Sequence, residues 1–110
     1  MLLAVILGAF AAHALKGVLD EYSMDVYKTG NYYHFIHAFA LIMVGLLQQQ
    51  FDIDLSISAY LFSFGLVIFS GSLYSLALTG VKGLGAITPI GGLLFIVGWG
   101  YLAAQFYKST

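Results

Sequence analysis

Three histidines, His13, His34 and His37, are the ionisable side chains that lie deepest in the apolar stretches of this sequence, and no Asp, Glu, Lys or Arg falls within those stretches short of Lys16 at the border of the first. Neutral imidazole ligates haem and transition metals, so His13 and His37, supplied by two different helices, could hold such a group, and His34 and His37 share one helical face at i, i+3. Hydroxyl groups accompany them. Tyr33, Ser70, Ser72, Tyr74 and Thr88 complete a polar set that could line a small-ligand site. The same residues admit a plainer role, in which each histidine hydrogen-bonds Tyr74, a serine or a backbone carbonyl and fixes the register of packed helices. Two histidines without a carboxylate are a weak metal signal, so packing is the preferred reading; no metal or other cofactor is expected, with haem as the alternative. His34, beside Tyr32 and Tyr33, reads as interfacial.

Other constellations carry less chemistry. Ser70 or Ser72 with His37 forms a nucleophile and base on paper, but no buried acid exists to orient the imidazole. Asp52-Ile53-Asp54 has the look of a metal-binding pair, yet it stands just before an apolar run, where an acid caps a helix and complements its dipole. Gly80, Gly83 and Gly85 lack the Lys-Ser or Lys-Thr pair of a phosphate-binding loop and read as a turn. The absence of cysteine removes disulfides, thiolate zinc sites, iron–sulfur clusters and a cysteine nucleophile. Four lysines, no arginine and a net charge of −1 leave no footprint for nucleic acid. No catalytic residue is assigned, and the chain is expected not to be an enzyme.

The elements that must position these groups follow from composition. Of 110 residues, 61% are hydrophobic and 8% charged, against about 25% charged in soluble domains, so the apolar surface must face lipid. The nine charges cluster and divide the chain into four apolar stretches, approximately 1–16, 31–50, 57–78 and 88–107. The third, Ile57 to Leu78, reaches roughly 33 Å as a helix and crosses a hydrocarbon core of about 30 Å. The fourth begins at Thr88-Pro89, a good N-cap followed by proline at the first helical position. The first is short and ends in Ala12-His13-Ala14, a passable signal-peptidase site, but no positive charge precedes it, which favours a retained helix. Its Ala4, Gly8 and Ala12 recur every fourth position, as helix-packing surfaces in membranes do. Gly71, Ser75, Gly91, Gly92 and Gly98 read as similar contact surfaces.

The expected fold is therefore all-α: a single transmembrane domain, 1–110, forming an up-down four-helix bundle, with a short interfacial helix in the amphipathic connection between spans one and two. Tyr22, Tyr27, Tyr32 and Tyr33 on one side, and Trp99, Tyr101 and Tyr107 toward the other, suit aromatic belts. Chain direction places His13, Tyr33, His34, His37, Ser70, Ser72, Tyr74, Thr79 and Thr88 in one leaflet, whereas the other holds mainly Gln48, Ser63 and Gln105. That asymmetry predicts a hydrogen-bonded cluster in one half of the bundle.

Five segments, Gly8-Ala9-Phe10-x-x-His13-Ala14-Leu15, Tyr27-x-Thr29-Gly30-x-x-Tyr33-x-x-x-His37-Ala38, Phe69-Ser70-Gly71-Ser72-Leu73-Tyr74, Thr88-Pro89-Ile90-Gly91-Gly92 and Gly98-Trp99, stand in an order that closely resembles the YgdD/YwdK-like family of small membrane proteins. This is the domain-of-unknown-function 423 group, which includes a mitochondrial transmembrane relative. The resemblance covers nearly the whole chain and implies four spans, a multi-pass location in a bacterial cell membrane or its equivalent, and no assigned biochemical activity. Carried over, its characteristic positions are His13, Thr29, Gly30, Tyr33, His37, Ser70, Gly71, Ser72, Tyr74, Thr88, Pro89, Gly91 and Gly92. The sequence departs from the pattern in lacking several residues before the first span and in a Gln-rich second connection where relatives often carry basic residues. Lys16, Lys28 and Lys82 would place connections one and three in the cytoplasm, against Lys108 on the other side. The resemblance implies cytoplasmic termini instead, and that is the expected orientation. The expected task is that of a structural or accessory component, in a homo-oligomer or a larger membrane complex within the lipid bilayer. The alternatives are a haem, metal or small-ligand binder and a small-solute carrier or pore.

Overall fold

The computed structural model describes residues 1–109; Thr110, the last residue of the expected domain, lies outside the described residues. Four α-helices account for the architecture: α1 (Leu2–His13), α2 (Glu21–Phe51), α3 (Ser56–Thr79) and α4 (Thr88–Ser109), with one 3-10 turn at Lys82–Ala86. The helices run up and down, and neighbours in sequence are neighbours in space, α1 on α2, α2 on α3 and α3 on α4. The Cα envelope of 50 × 27 × 15 Å makes this bundle a flat one, with α3 between its two long partners.

Helices α2, α3 and α4 have the length and hydropathy to cross a membrane. α1 differs from the expected span. Its 12 described residues rise about 18 Å, a little over half a hydrocarbon core, and pack against α2.

The expected separate interfacial helix is absent among the described residues. The amphipathic stretch from Glu21 is instead the beginning of a continuous 31-residue α2, because nothing from Glu21 to Asn31 breaks a helix and Asp20 caps it. The Asp20 carboxylate accepts the Ser23 backbone N–H at 2.7 Å. That bond, then the Ser23 side chain, holds the Asp20 carboxyl below its ordinary range. A depressed folded-state pKa means that the cap contributes at neutral pH and is lost as pH falls through the folded value. The protection factor of the Ser23 amide, its exchange rate corrected for the intrinsic pH dependence, should fall on acidification below about pH 4. Asp20→Asn, which keeps an acceptor, should abolish that pH dependence, and Asp20→Ala should give low protection at every pH.

At the opposite end, Asp52 takes the left-handed conformation (φ 52°) that closes α2. Asp54 accepts the Ser56 N–H at 3.0 Å and so serves the start of α3, as expected of an acid placed there. Gln48 accepts the Leu55 amide and lies 3.5 Å from the Ser56 hydroxyl, tying the loop back to α2. Gly80, at φ 73°, ends α3 in a conformation that side chains resist.

Two apolar clusters order the interior. Ala40, Val44, Leu55, Phe62 and Phe95 join α2, α3 and α4. Ala11, Leu15, Tyr27 and Ala77 join α1, α2 and α3. Two belt assignments change. Tyr27 is fully buried, and Trp99 stands near the middle of α4, inside the span.

Candidate functional site

α1 is held to α2 through its own backbone. Asn31 and Tyr27 lie one turn apart on α2; the Asn31 amide donates to the Ala4 carbonyl at 2.9 Å and the Tyr27 hydroxyl to the Leu7 carbonyl at 2.7 Å. A helical carbonyl has a second lone pair for such a donor. Ala4 is fully buried, and Gly8 leaves room for the Asn31 side chain, whose Oδ1 would stand 2.9 Å from a Cβ there. The contact face of α1 continues through Ala11, and Leu15 just beyond the helix is buried as well, whereas Ala12 is exposed.

Asn31 also donates to the Tyr74 hydroxyl at 3.0 Å, which leaves the phenolic proton to donate to His34 Nδ1, 2.9 Å away. Ala4, Asn31, Tyr74 and His34 therefore form one chain of hydrogen bonds through α1, α2 and α3. His34, half-buried, is thus paired with Tyr74 across the helices. Tyr74→Phe should remove two bonds of this chain while keeping the ring, which sits 4.9 Å from Tyr27. A loss of about 1 kcal/mol is expected in detergent unfolding, since interhelical bonds in membranes average under 1 kcal/mol each.

His37 is 3% exposed and sits deeper. Trp99 Nε1 donates to its Nε2 at 3.0 Å, and its Nδ1 lies 2.9 Å from the Tyr33 carbonyl. An indole nitrogen can only donate, so Nε2 must be the bare nitrogen and the proton resides on Nδ1, which donates to Tyr33. The imidazole lies flat on Phe95, with ring centroids 3.5 Å apart and planes 8° apart, and meets Phe62 edge-on at 5.4 Å. Both nitrogens are engaged.

The serines act between helices and not with His37. Ser70 donates to the Gly30 carbonyl of α2 at 2.8 Å, and Ser58, toward the other end of α3, donates to the Gly98 carbonyl of α4 at 2.9 Å. Ser72 lies 2.9 Å from the Phe69 carbonyl and 2.6 Å from the Thr88 hydroxyl. Thr88 begins α4 and spends its hydroxyl on that bridge. Among the described residues no buried side-chain nitrogen or oxygen lacks a partner.

Of the expected set, Tyr74 and Ser70 fall near one level with Asn31 and His34, Ser72 and Thr88 meet each other, and Tyr33 and His37 join the aromatic group of Phe69, Phe95 and Trp99. His13 joins none of these hydrogen bonds; it is exposed at the C-terminal end of α1. No group of three or more His, Cys, Asp or Glu side chains is placed to hold a metal among the described residues. Of the small residues, Gly91 meets the Phe69 backbone and Gly98 the Phe62 ring, whereas Gly92 meets only the Phe69 ring edge. Gly71 faces open space and Ser75 is exposed. Asn31, Tyr27, Ser58 and Trp99 were not among the expected site residues. Asn31 was the legible one, an amide at the border of an apolar run, which must find a partner once in lipid.

The sequence profile of the family described as protein of unknown function, DUF423, matches residues 7–92. A UPF0382 membrane protein of Staphylococcus epidermidis is 47% identical over 98 residues, covering 89% of this chain and 80% of that protein. The UPF0382 membrane protein YwdK of Bacillus subtilis is 44% identical over 100 residues, covering 89% and 81%. One from Staphylococcus aureus is 40% identical over 107 residues, covering 97% and 88%. No solved structure matches the chain. With three helices fit to cross a bilayer and relatives that are membrane proteins, this chain belongs to the DUF423, or UPF0382, family of bacterial multi-pass membrane proteins.

Proposed function

We propose that the chain is a non-enzymatic structural or accessory component of the membrane, working as a homo-oligomer or within a larger membrane complex. The observation that carries this reading is the closed accounting of its polar interior. Every described buried polar side-chain atom is already matched within the chain, and Tyr27, Ser58, Ser70, Tyr74 and His37 spend their polar groups as clamps between helices. The flat shape adds to it. A layer 15 Å deep in Cα positions has two broad faces, on which Phe39, Leu46, Phe64, Val67, Leu93 and Ile96 are exposed for lipid or neighbouring helices. Haem or metal ligation by His13 and His37 gains no support from an exposed residue at one helix end and an imidazole with both nitrogens engaged.

Blue-native electrophoresis after mild extraction, with crosslinking in intact membranes, tests the proposal. A species heavier than the detergent-bound monomer, reproduced by crosslinking, is expected. A monodisperse monomer that crosslinks to nothing would overturn it.

A further inference from the structure

Between α2, α3 and α4 lies a crevice of about 290 Å³, walled by the rings of Tyr33, Phe69, Phe95 and Trp99, with His37 behind and Gly92 at its edge. We propose that it binds the ring of a quinone-type lipophile, a flat carbonyl-bearing ring with an apolar tail, entering sideways from the bilayer.

Three features select that chemistry. No charged side chain lines the crevice, and Trp99 places it inside the span, so the ligand is neutral and reaches it through lipid. The phenol and indole faces are electron-rich, and a ring depleted by conjugated carbonyls stacks well on them. The indole N–H is spent on His37 Nε2 and the imidazole Nδ1 on the Tyr33 carbonyl, while the Tyr33 hydroxyl has no hydrogen-bond partner among the described residues; it is a donor suited to a carbonyl oxygen. The volume, at the low end of small-molecule sites, accommodates one or two fused rings, leaving the tail in lipid. Gly92 separates this space from packing. Helix contact requires its neighbour Gly91, whereas a Cβ on Gly92 would meet only the Phe69 ring at 3.8 Å, so this glycine keeps space open without serving the α3–α4 interface.

Trp99 is the sole tryptophan and forms part of the wall, which supplies the assay. The full chain in lipid nanodiscs is titrated with 2-methyl-1,4-naphthoquinone carrying one isoprenoid unit, and Trp99 emission is followed. Saturable quenching is expected in the wild type. Tyr33→Phe should weaken it about tenfold, the value of one hydrogen bond. Gly92→Leu, which fills the crevice, should leave only the linear quenching of a probe dissolved in lipid. An isoprenoid alcohol with the same tail should not compete. Linear quenching in the wild type, saturation unchanged in both variants with helical circular dichroism intact, or equal competition by the alcohol would each overturn the proposal. Should Gly92→Leu lose its helical signal, Tyr33→Phe and the competition decide alone.

Discussion

Gly91→Ala should separate α3 from α4 and cost about 3 kcal/mol, the upper range for overpacking a well-packed interface. The added Cβ would lie 2.5 Å from the Phe69 nitrogen, 2.7 Å from its Cβ and 2.8 Å from its Cα. These are backbone or near-backbone atoms. No rotamer change relieves such contacts, and the helices must move apart by most of an ångström. Movement there reaches Gly65, which is packed under the Phe95 ring, and Ser58, which must keep its bond to the Gly98 carbonyl. Association in lipid depends on close van der Waals fit, so a small gap forfeits many weak contacts at once.

Two other glycines provide controls of equal chemical size. Gly92→Ala would meet the Phe69 ring at 3.8 Å, and Gly45→Ala nothing within 4 Å. Both should unfold at the wild-type detergent concentration or slightly above it, because alanine is the better helix former. Denaturation followed by circular dichroism checks the order. An alanine at Gly91 as well tolerated as one at Gly92 would show that the α3–α4 contact does not limit stability.

This pair also marks how far the sequence could be read. Consecutive glycines announce a helix contact, but they point about 100° apart, and hydropathy carries no signal of which one faces a neighbour when lipid and partner helix are equally apolar. The same ambiguity covers Ala11 and Ala12, of which the first is buried, and Gly71, which faces open space. Helix existence was legible because charge clusters must sit outside the hydrocarbon, and α3 and α4 end within a few residues of the apolar runs. α2 exceeded its run because helix propensity, unlike membrane depth, does not stop at a charged residue. Of the polar residues that chain direction put in one leaflet, His34 and Tyr74 meet, joined by Asn31, which was not among them, and Ser70 bonds the neighbouring Gly30 carbonyl. The belt pattern misled for Trp99, which stands near the middle of α4. The aromatic-belt tendency describes indoles whose N–H seeks water, and Trp99 satisfies its N–H on His37 instead.

His37 and Trp99 carry the second large expectation. His37→Ala should cost about 3 kcal/mol, comparable to truncating a buried aromatic ring, and His37→Phe only about 1–2 kcal/mol. The difference separates two contributions of one side chain. Alanine removes the plane stacked at 3.5 Å on Phe95 and the edge against Phe62, and also strands the Trp99 N–H. Phenylalanine restores a ring of similar shape and leaves the indole donor alone without its acceptor. The Tyr33 carbonyl loses its side-chain donor in both variants, so that term cancels between them. Unfolding free energies in a mixed-micelle titration measure the order, and Trp99 emission should shift similarly in both variants, since each loses the acceptor on the indole. A double-mutant cycle with Trp99→Phe isolates the bond. Coupling of about 1 kcal/mol between His37→Phe and Trp99→Phe is expected, whereas simple additivity would mean that the two rings only share space and that the hydrogen bond adds nothing.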